Sequence, residues 1–207
     1  MTTQGNRIAV IVFHKNLHQY PKQWILDFSE SILNQTFKDF DILELNYGGG
    51  EERIFACSDF ESIEMNNHAE AMNYLIDKAF KSYEFVFNTN VDDVFSIDRI
   101  EEQLPYLEQG YDIVSSNFSL FNDKGTFHTH RFDRLNIRHE LERNHNVICH
   151  PVIAMSKHFW SYNRYKPELI PLEDMKLWQS AIRSFRFIIL SDVLCYHREH
   201  VNSVGRS

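Results

Sequence analysis

Short apolar runs alternate with longer stretches of helical period along nearly the whole chain, and that alternation leaves few architectures open. Ile8–Phe13 is the longest uninterrupted apolar run. A run of that kind suits a strand buried on both faces, as in a parallel sheet covered by helices. The strand is expected over Arg7–Phe13, followed after Pro21 by a helix to about Gln35 whose Trp24, Ile25, Phe28 and Ile32 form one stripe. Phe40–Leu45 reads as the second strand, Asn67–Lys81 as a helix and Tyr83–Asn88 as the next strand. Ile97–Gln109 reads as a helix kinked or broken at Pro105, and Tyr111–Phe118 as a strand ending near the turn signal Asn122–Gly125. Beyond it the alternation weakens. Asp133–Asn144 reads as a very polar helix, and Val147–Met155 as an edge or irregular strand because Pro151 interrupts it. Glu173–Arg183 is a helix, Phe185–Leu194 a strand, and the tail after Tyr196 is polar. No repeat or linker divides the 207 residues, so a single α/β domain is expected.

The charge balance narrows the partners. With 21 basic and 29 acidic residues the net charge is −8, which disfavours binding to a phosphate backbone. Neither a polybasic patch nor an apolar run of membrane-spanning length is present, so nucleic acid and a transmembrane segment are both excluded as expectations. Met1–Arg7 is polar, and Cys57, Cys149 and Cys195 form no metal-like or disulfide-like spacing. A cytoplasmic location is the economical expectation, with the cysteines as core fillers.

In an open α/β sheet, ligands bind beyond the carboxyl ends of the strands. Two strand ends there carry unusual chemistry: Asn46-Tyr47 with Gly48–Gly50, and Asn90-Val91-Asp92-Asp93. Three consecutive glycines let backbone approach a ligand closely. Adjacent carboxylates at a strand end suit a hard divalent cation, Mg²⁺ or Mn²⁺, that shares its shell with substrate phosphates. The plainer alternative makes Asp92 a cap for the following helix and leaves Asp93 solvated. Glu173-Asp174 opens a helix, where acidic residues also belong for dipole reasons alone. Tyr196-His197-Arg198-Glu199-His200 follows the last strand and offers groups for phosphate or metal, or a polar tail. His128 and His130 are read as surface histidines of a flexible loop, and Trp24, Trp160 and Trp178 as core. His150 is a candidate substrate contact.

Taken in order, these pieces resemble the family-2 glycosyltransferases of the GT-A fold over nearly the whole chain. Ser31-Ile32-Leu33-Asn34-Gln35-Thr36-Phe37-Lys38-Asp39-Phe40-Asp41-Ile42 is similar to the family's S-I-L-x-Q-T-x-x-D-F-E-I, and Ala71-Met72-Asn73 to its A-x-N helix. Asn90-Val91-Asp92-Asp93 stands at the metal-binding D-x-D-D, Glu173-Asp174 at the E-D of the catalytic base, and Arg198-Glu199-His200 at the late R-x-H. Two positions depart from the pattern: Asn90 replaces the first acid of the metal motif, and Asn46-Tyr47-Gly48-Gly49 replaces D-D-G-S.

The resemblance implies a mixed, mostly parallel GT-A sheet, with a nucleotide-binding half over residues 1–95 and an acceptor-binding half over 96–207. It implies transfer of a hexosyl or deoxyhexosyl group from a nucleotide diphosphate-sugar to a glycan or other hydroxyl, by direct displacement with inversion. Asp92, Asp93 and His200 are then the metal residues. Asn46, Tyr47, Gly48, Asn73, Asn90 and Arg198 contact the donor, Asp174 is the general base, and Glu173 supports it or orients the acceptor. Two rivals remain. A metal-dependent nucleotidyltransferase would carry a Gly- and Lys/Arg-rich phosphate loop near the amino terminus, and His14-Lys15-Asn16 is not one. A non-catalytic nucleotide-sugar- or glycan-binding module of the same fold would tolerate Asn46 and Asn90.

Overall fold

A computed structural model describes residues 6–122 and 124–199. Strands β1 (Ile8–His14), β2 (Asp41–Asn46), β3 (Asp59–Ser62) and β4 (Phe85–Phe87) alternate with helices α1 (Lys22–Leu33) and α2 (His68–Ala79). Then come β5 (Val94–Phe95), α3 (Arg99–Glu108), and the hairpin β6 (Ile113–Asn122) and β7 (Gly125–His130). The remainder comprises α4 (Ile137–Glu142), β8 (Ala154–Ser156), α5 (Lys157–Trp160), α6 (Glu173–Ala181) and β9 (Phe187–Arg198). The sheet order is β3-β2-β1-β4-β8-β6-β9-β5, with β7 paired to β6.

β1 pairs parallel with β2 and β4, and β2 parallel with β3. β8 is antiparallel to both β4 and β6. The two reversals cancel, so β6, and β9 parallel to it, run in the same sense as β1. The carboxyl ends of β1, β2, β4, β6 and β9 therefore gather along one edge.

Period-2 alternation places β1 side chains on opposite faces. Ala9 and Ile11 pack with Met72, Leu75 and Ile76 of α2 and with Trp178 of α6. Ile8, Val10 and Val12 pack on the other face with Phe28 and Ile32 of α1 and with Ile100 and Leu107 of α3. Both faces are covered, which accounts for the unbroken apolar run. Buried polar side chains key the helices to the strands. Gln35 donates to the Ser96 carbonyl at 2.7 Å and accepts from Ile100 N–H at 3.1 Å, tying the end of α1 to the start of α3. Arg99, 1% exposed, donates to the carbonyls of Asn88 (2.7 Å) and Ile153 (3.2 Å).

Several expectations need correction. The polar helix of Asp133–Asn144 is only the single turn and a half of α4, capped by Asn136, which accepts from His139 N–H. Val147–Met155 is mostly not strand: His150–Val152 forms a 3-10 turn around Pro151, and the strand starts only at Ala154. Nor is β8 an edge, since it lies between β4 and β6. Proline constrains only the residues beside it, leaving Ala154–Ser156 free to pair on both sides. α3 runs through Pro105 without breaking. His128 and His130 sit on β7 rather than in a loop, their rings 4.4 Å apart, with His130 stacked on Phe118 at 4.6 Å. The last strand extends through His197 and Arg198, so these residues belong to the sheet and not to a tail. Among the described residues no helix is long and apolar enough to cross a membrane.

Candidate active site

The gathered strand ends open onto a cleft of about 1010 Å³. His14 and Lys15 enter it from the end of β1, Tyr47 from the end of β2, Asn90 and Asp92 from the turn after β4, and His197 from β9. The opposite wall carries His68 at the start of α2, Glu173 and Asp174 at the start of α6, and Asn146 and His150 from the segment before β8. Residues more than a hundred positions apart thus share one cavity because parallel strands deliver their ends to one edge.

The turn after β4 divides its two carboxylates. Asp92 lines the cleft, whereas Asp93 is fully buried. Asp93 accepts from the backbone N–H of Arg198 at 2.9 Å and pairs with His197 Nδ1 at 3.0 Å. Burial opposes a charged imidazole, but the Asp93 carboxylate more than offsets this and raises His197 to about 9, so the ring is protonated at neutral pH. Arg198 is equally committed. Its Nε donates to the Asp92 carbonyl at 3.0 Å, its Nη2 pairs with Asp27 at 2.9 Å, and its plane packs on Trp24 and Phe121. At 4% exposure it braces the Asp92 turn from behind and does not line the cleft.

Other expected donor contacts are likewise placed in supporting positions. Asn46 is buried, donating to the carbonyls of Gly50 (2.9 Å) and Glu52 (3.3 Å) and accepting from Gly48 N–H (2.9 Å). Its amide shapes the glycine loop from inside. Asn73 exchanges two bonds with the backbone of Tyr165, at 2.9 and 3.0 Å, and faces away from the cleft. A Cβ at Gly48 would stand 3.1 Å from Lys15 Cγ and 3.2 Å from Asn46 Oδ1, so the loop packs tightly there. His200 lies outside the described residues.

The two acids of α6 also differ. Asp174 Oδ1 accepts from Met175 N–H at 2.6 Å, and its Oδ2 accepts from Asn146 Nδ2 at 3.0 Å. Asn146 Oδ1 accepts from Ile148 N–H, which fixes the amide so that its N–H faces the carboxylate. Glu173 accepts from His68 Nε2 at 2.7 Å. Burial pushes Glu173 up, but the His68 hydrogen bond, its own backbone N–H and the nearby His68 and His150 together outweigh it and leave the carboxyl below its ordinary range. Its Oε2 is buried with no partner among the described residues. Burial also lowers His150, which shares a hydrogen bond with the Tyr165 hydroxyl at 2.9 Å.

Beneath the wall formed by β1 and β2, Glu44 is fully buried in β2 and accepts from Ile54 N–H, Phe55 N–H at 3.1 Å and Ser58 Oγ at 2.7 Å. His14 Nε2 lies 3.0 Å from the same carboxylate. These bonds outweigh burial and hold Glu44 below the ordinary carboxylate range. Sequence reasoning passes over Glu44 and Asn146 and gives His197 no role of its own. A charged residue inside the apolar run Ile42–Leu45 is the one signal available for Glu44.

Residues 8–167 match the family model for glycosyl transferase family 2. The chain belongs to glycosyl transferase family 2. This family 2 chain is 25% identical to the O-antigen biosynthesis glycosyltransferase WbnJ of Escherichia coli, over 92% of this chain and 80% of that one. Its fold is similar to that of S. aureus TarS 1-349 in complex with UDP-GlcNAc, with a TM-score of 0.69 at 15% identity, covering 95% of this chain and 60% of that one. It is also similar to the mannosyltransferase PcManGT from Pyrobaculum calidifontis, solved with GDP-Man and Mn²⁺, with a TM-score of 0.63 at 15% identity over 98% and 59% of the two chains. The family 2 chain thus spans about 60% of the length of these solved relatives. Their mixed α/β architecture is the GT-A fold that the order of motifs implied.

Proposed function

We propose that this chain transfers a sugar from a nucleotide diphosphate-sugar to an acceptor hydroxyl by a single displacement with inversion. The observation that carries the reading is that one cleft presents Asp92 from the strand-end turn and Asp174 from the start of α6. The donor lies over the strand ends, with Tyr47 and the Gly48 loop beside the nucleoside and Asn90 and Asp92 beside the diphosphate. The acceptor approaches from the 96–207 half. Asp174, held by Asn146 and the Met175 N–H, accepts the proton of the attacking hydroxyl as its oxygen bonds the anomeric carbon. Glu173 is already engaged with His68 and borders the acceptor space. No enzyme nucleophile is needed, because the hydroxyl oxygen replaces the leaving diphosphate directly.

The residues fit a divalent ion shared with substrate. Among the described residues no group of three His, Cys, Asp or Glu could hold a metal alone. Asp92 and Asn90 line the cleft, and Mg²⁺ or Mn²⁺ is commonly held by one carboxylate plus substrate phosphates and water. Such an ion supplies Lewis-acid neutralisation of the leaving diphosphate. The neighbour PcManGT was solved with GDP-Man and Mn²⁺, and TarS with UDP-GlcNAc, which supports this class of donor. A non-catalytic nucleotide-sugar-binding module is the second reading, favoured by Asn90 and by the commitment of Asp93 to His197. Calorimetry with UDP-GlcNAc and GDP-mannose, with and without Mn²⁺, followed by assay for donor turnover, tests both. Binding with turnover supports the transferase, binding without turnover supports the module, and binding of neither refutes both.

A further inference from the structure

Lys15 is the single lysine or arginine among the described residues lining the cleft. The chain carries a net charge of −8, and several of its surface cations are paired: Arg7 with Glu84, Lys78 with Asp59, Arg183 with Glu142. Lys15 is half-buried as a residue; its ammonium makes no hydrogen bond or ion pair with any described residue, and lies 5.8 Å from the centre of the Tyr47 ring. A cation that lines a cleft and is not neutralised by a neighbouring carboxylate is open to an anionic ligand. The site is also built around this side chain. Gly48 leaves room for its stem, since a Cβ there would meet Lys15 Cγ at 3.1 Å. The next residue, Asn16, holds a left-handed backbone (φ 57°) that turns the chain sharply at the end of β1. The other cation near the strand ends, Arg198, is spent on Asp27 and the Asp92 carbonyl, and His197 is matched by Asp93.

We propose that Lys15 binds the diphosphate of the nucleotide, the role that the late arginine of the chain cannot fill from its buried position. The assignment rests on the donor site described above and adds a residue to it. Lys15 supplies a positive charge on the side of the phosphates where Asn90 has removed a negative one. The ammonium grips oxygens that gain charge as the glycosidic bond breaks, so it contributes to binding of the diphosphate and to its departure.

Lys15→Met keeps the stem over Tyr47 and removes the charge, and Lys15→Arg keeps the charge. Calorimetry of the full chain with UDP, GDP, uridine and guanosine, in Mn²⁺, reads the effect. For the diphosphate that the unmodified chain binds, Lys15→Met should lose about tenfold or more in affinity, while Lys15→Arg loses much less. Affinity for the matching nucleoside should stay unchanged, and the dependence of diphosphate binding on NaCl should weaken. Diphosphate affinity within twofold of the unmodified chain overturns the assignment, as does an equal loss for nucleoside and diphosphate, which would make Lys15 a contact to base or ribose; in both cases the donor site itself stands. If the unmodified chain binds no nucleotide at all, the donor site falls and the assignment with it.

Discussion

Asn146 donates its side-chain amide to Oδ2 of Asp174 at 3.0 Å, while Ile148 N–H holds the other end of the same amide. The carboxylate is thereby held between the first turn of α6 and the segment before β8, with its orientation set from two directions. Asp174→Asn keeps size and helix-start compatibility but removes basicity. Turnover should fall by about two to four orders of magnitude with donor affinity retained. Near-normal turnover would leave Asp174 as a helix-start residue only. Asn146→Ala should lower kcat with little change in donor affinity, which steady-state kinetics beside calorimetry can separate.

Asp92 is the carboxylate of its turn that reaches the cleft, and Asp93 is held inside by His197 and Arg198. Asp92→Ala should therefore abolish the Mn²⁺-dependent part of nucleotide binding while the fold persists. Asp93→Ala should instead lower thermal stability, because it removes the buried acceptor of the Arg198 N–H and of the His197 ring and leaves these donors unpaired. Nucleotide affinity that responds neither to Asp92→Ala nor to a chelator would rule out the shared ion.

Restoring the family's acid at position 46 should do harm. Asn46 donates to the carbonyls of Gly50 and Glu52, and a carboxylate there would face both carbonyl oxygens without a proton to give. Asn46→Asp should weaken nucleotide binding by disordering the glycine loop, and tighter binding in calorimetry would contradict the structural role assigned to this amide.

Glu44 makes the stability of the β1–β2 side dependent on pH. Its folded-state pKa is depressed, so its contribution is complete above the unfolded carboxylate range, near about 4.3, and is lost as pH falls through the folded value. Glu44→Gln retains one acceptor oxygen for the two N–H groups of Ile54 and Phe55 and should cost about 2 kcal/mol at pH 7. Urea unfolding at about pH 7 and about pH 3.5 should show the gap between the two proteins narrowing in acid. A gap independent of pH would place the effect in packing.

Arg99 is a structural cation, lowered to about 10 by burial and still charged at neutral pH. Arg99→Met removes the donors to the carbonyls of Asn88 and Ile153 and should destabilise the domain by about 2 to 4 kcal/mol. Unfolding midpoints would report it, and a change below about 0.5 kcal/mol would mean that solvent replaces those bonds.

Periodicity alone determined that β1 is buried on both faces and that α1 and α2 cover it, because a residue's burial in a regular element follows from its neighbours along the chain. The order of the motifs likewise determined which strand ends meet the cleft: Tyr47, Asn90, Asp92, Glu173 and Asp174 do line it together. What the chain's linear order does not encode is the direction in which a polar side chain points once strands far apart in sequence become neighbours. Asp92 and Asp93 are adjacent, yet the approach of β9 turns one toward the cleft and seals the other against His197. Asn46, Asn73 and Arg198 have the chemistry of ligand contacts, but buried carbonyls and carboxylates demand partners first, and these side chains satisfy them. Only the tertiary structure decided those commitments, since each depends on which backbone group happens to lie opposite. Lys15 is the converse case: in sequence an ordinary residue after a strand, in the fold the one lysine or arginine among the described residues lining the cleft.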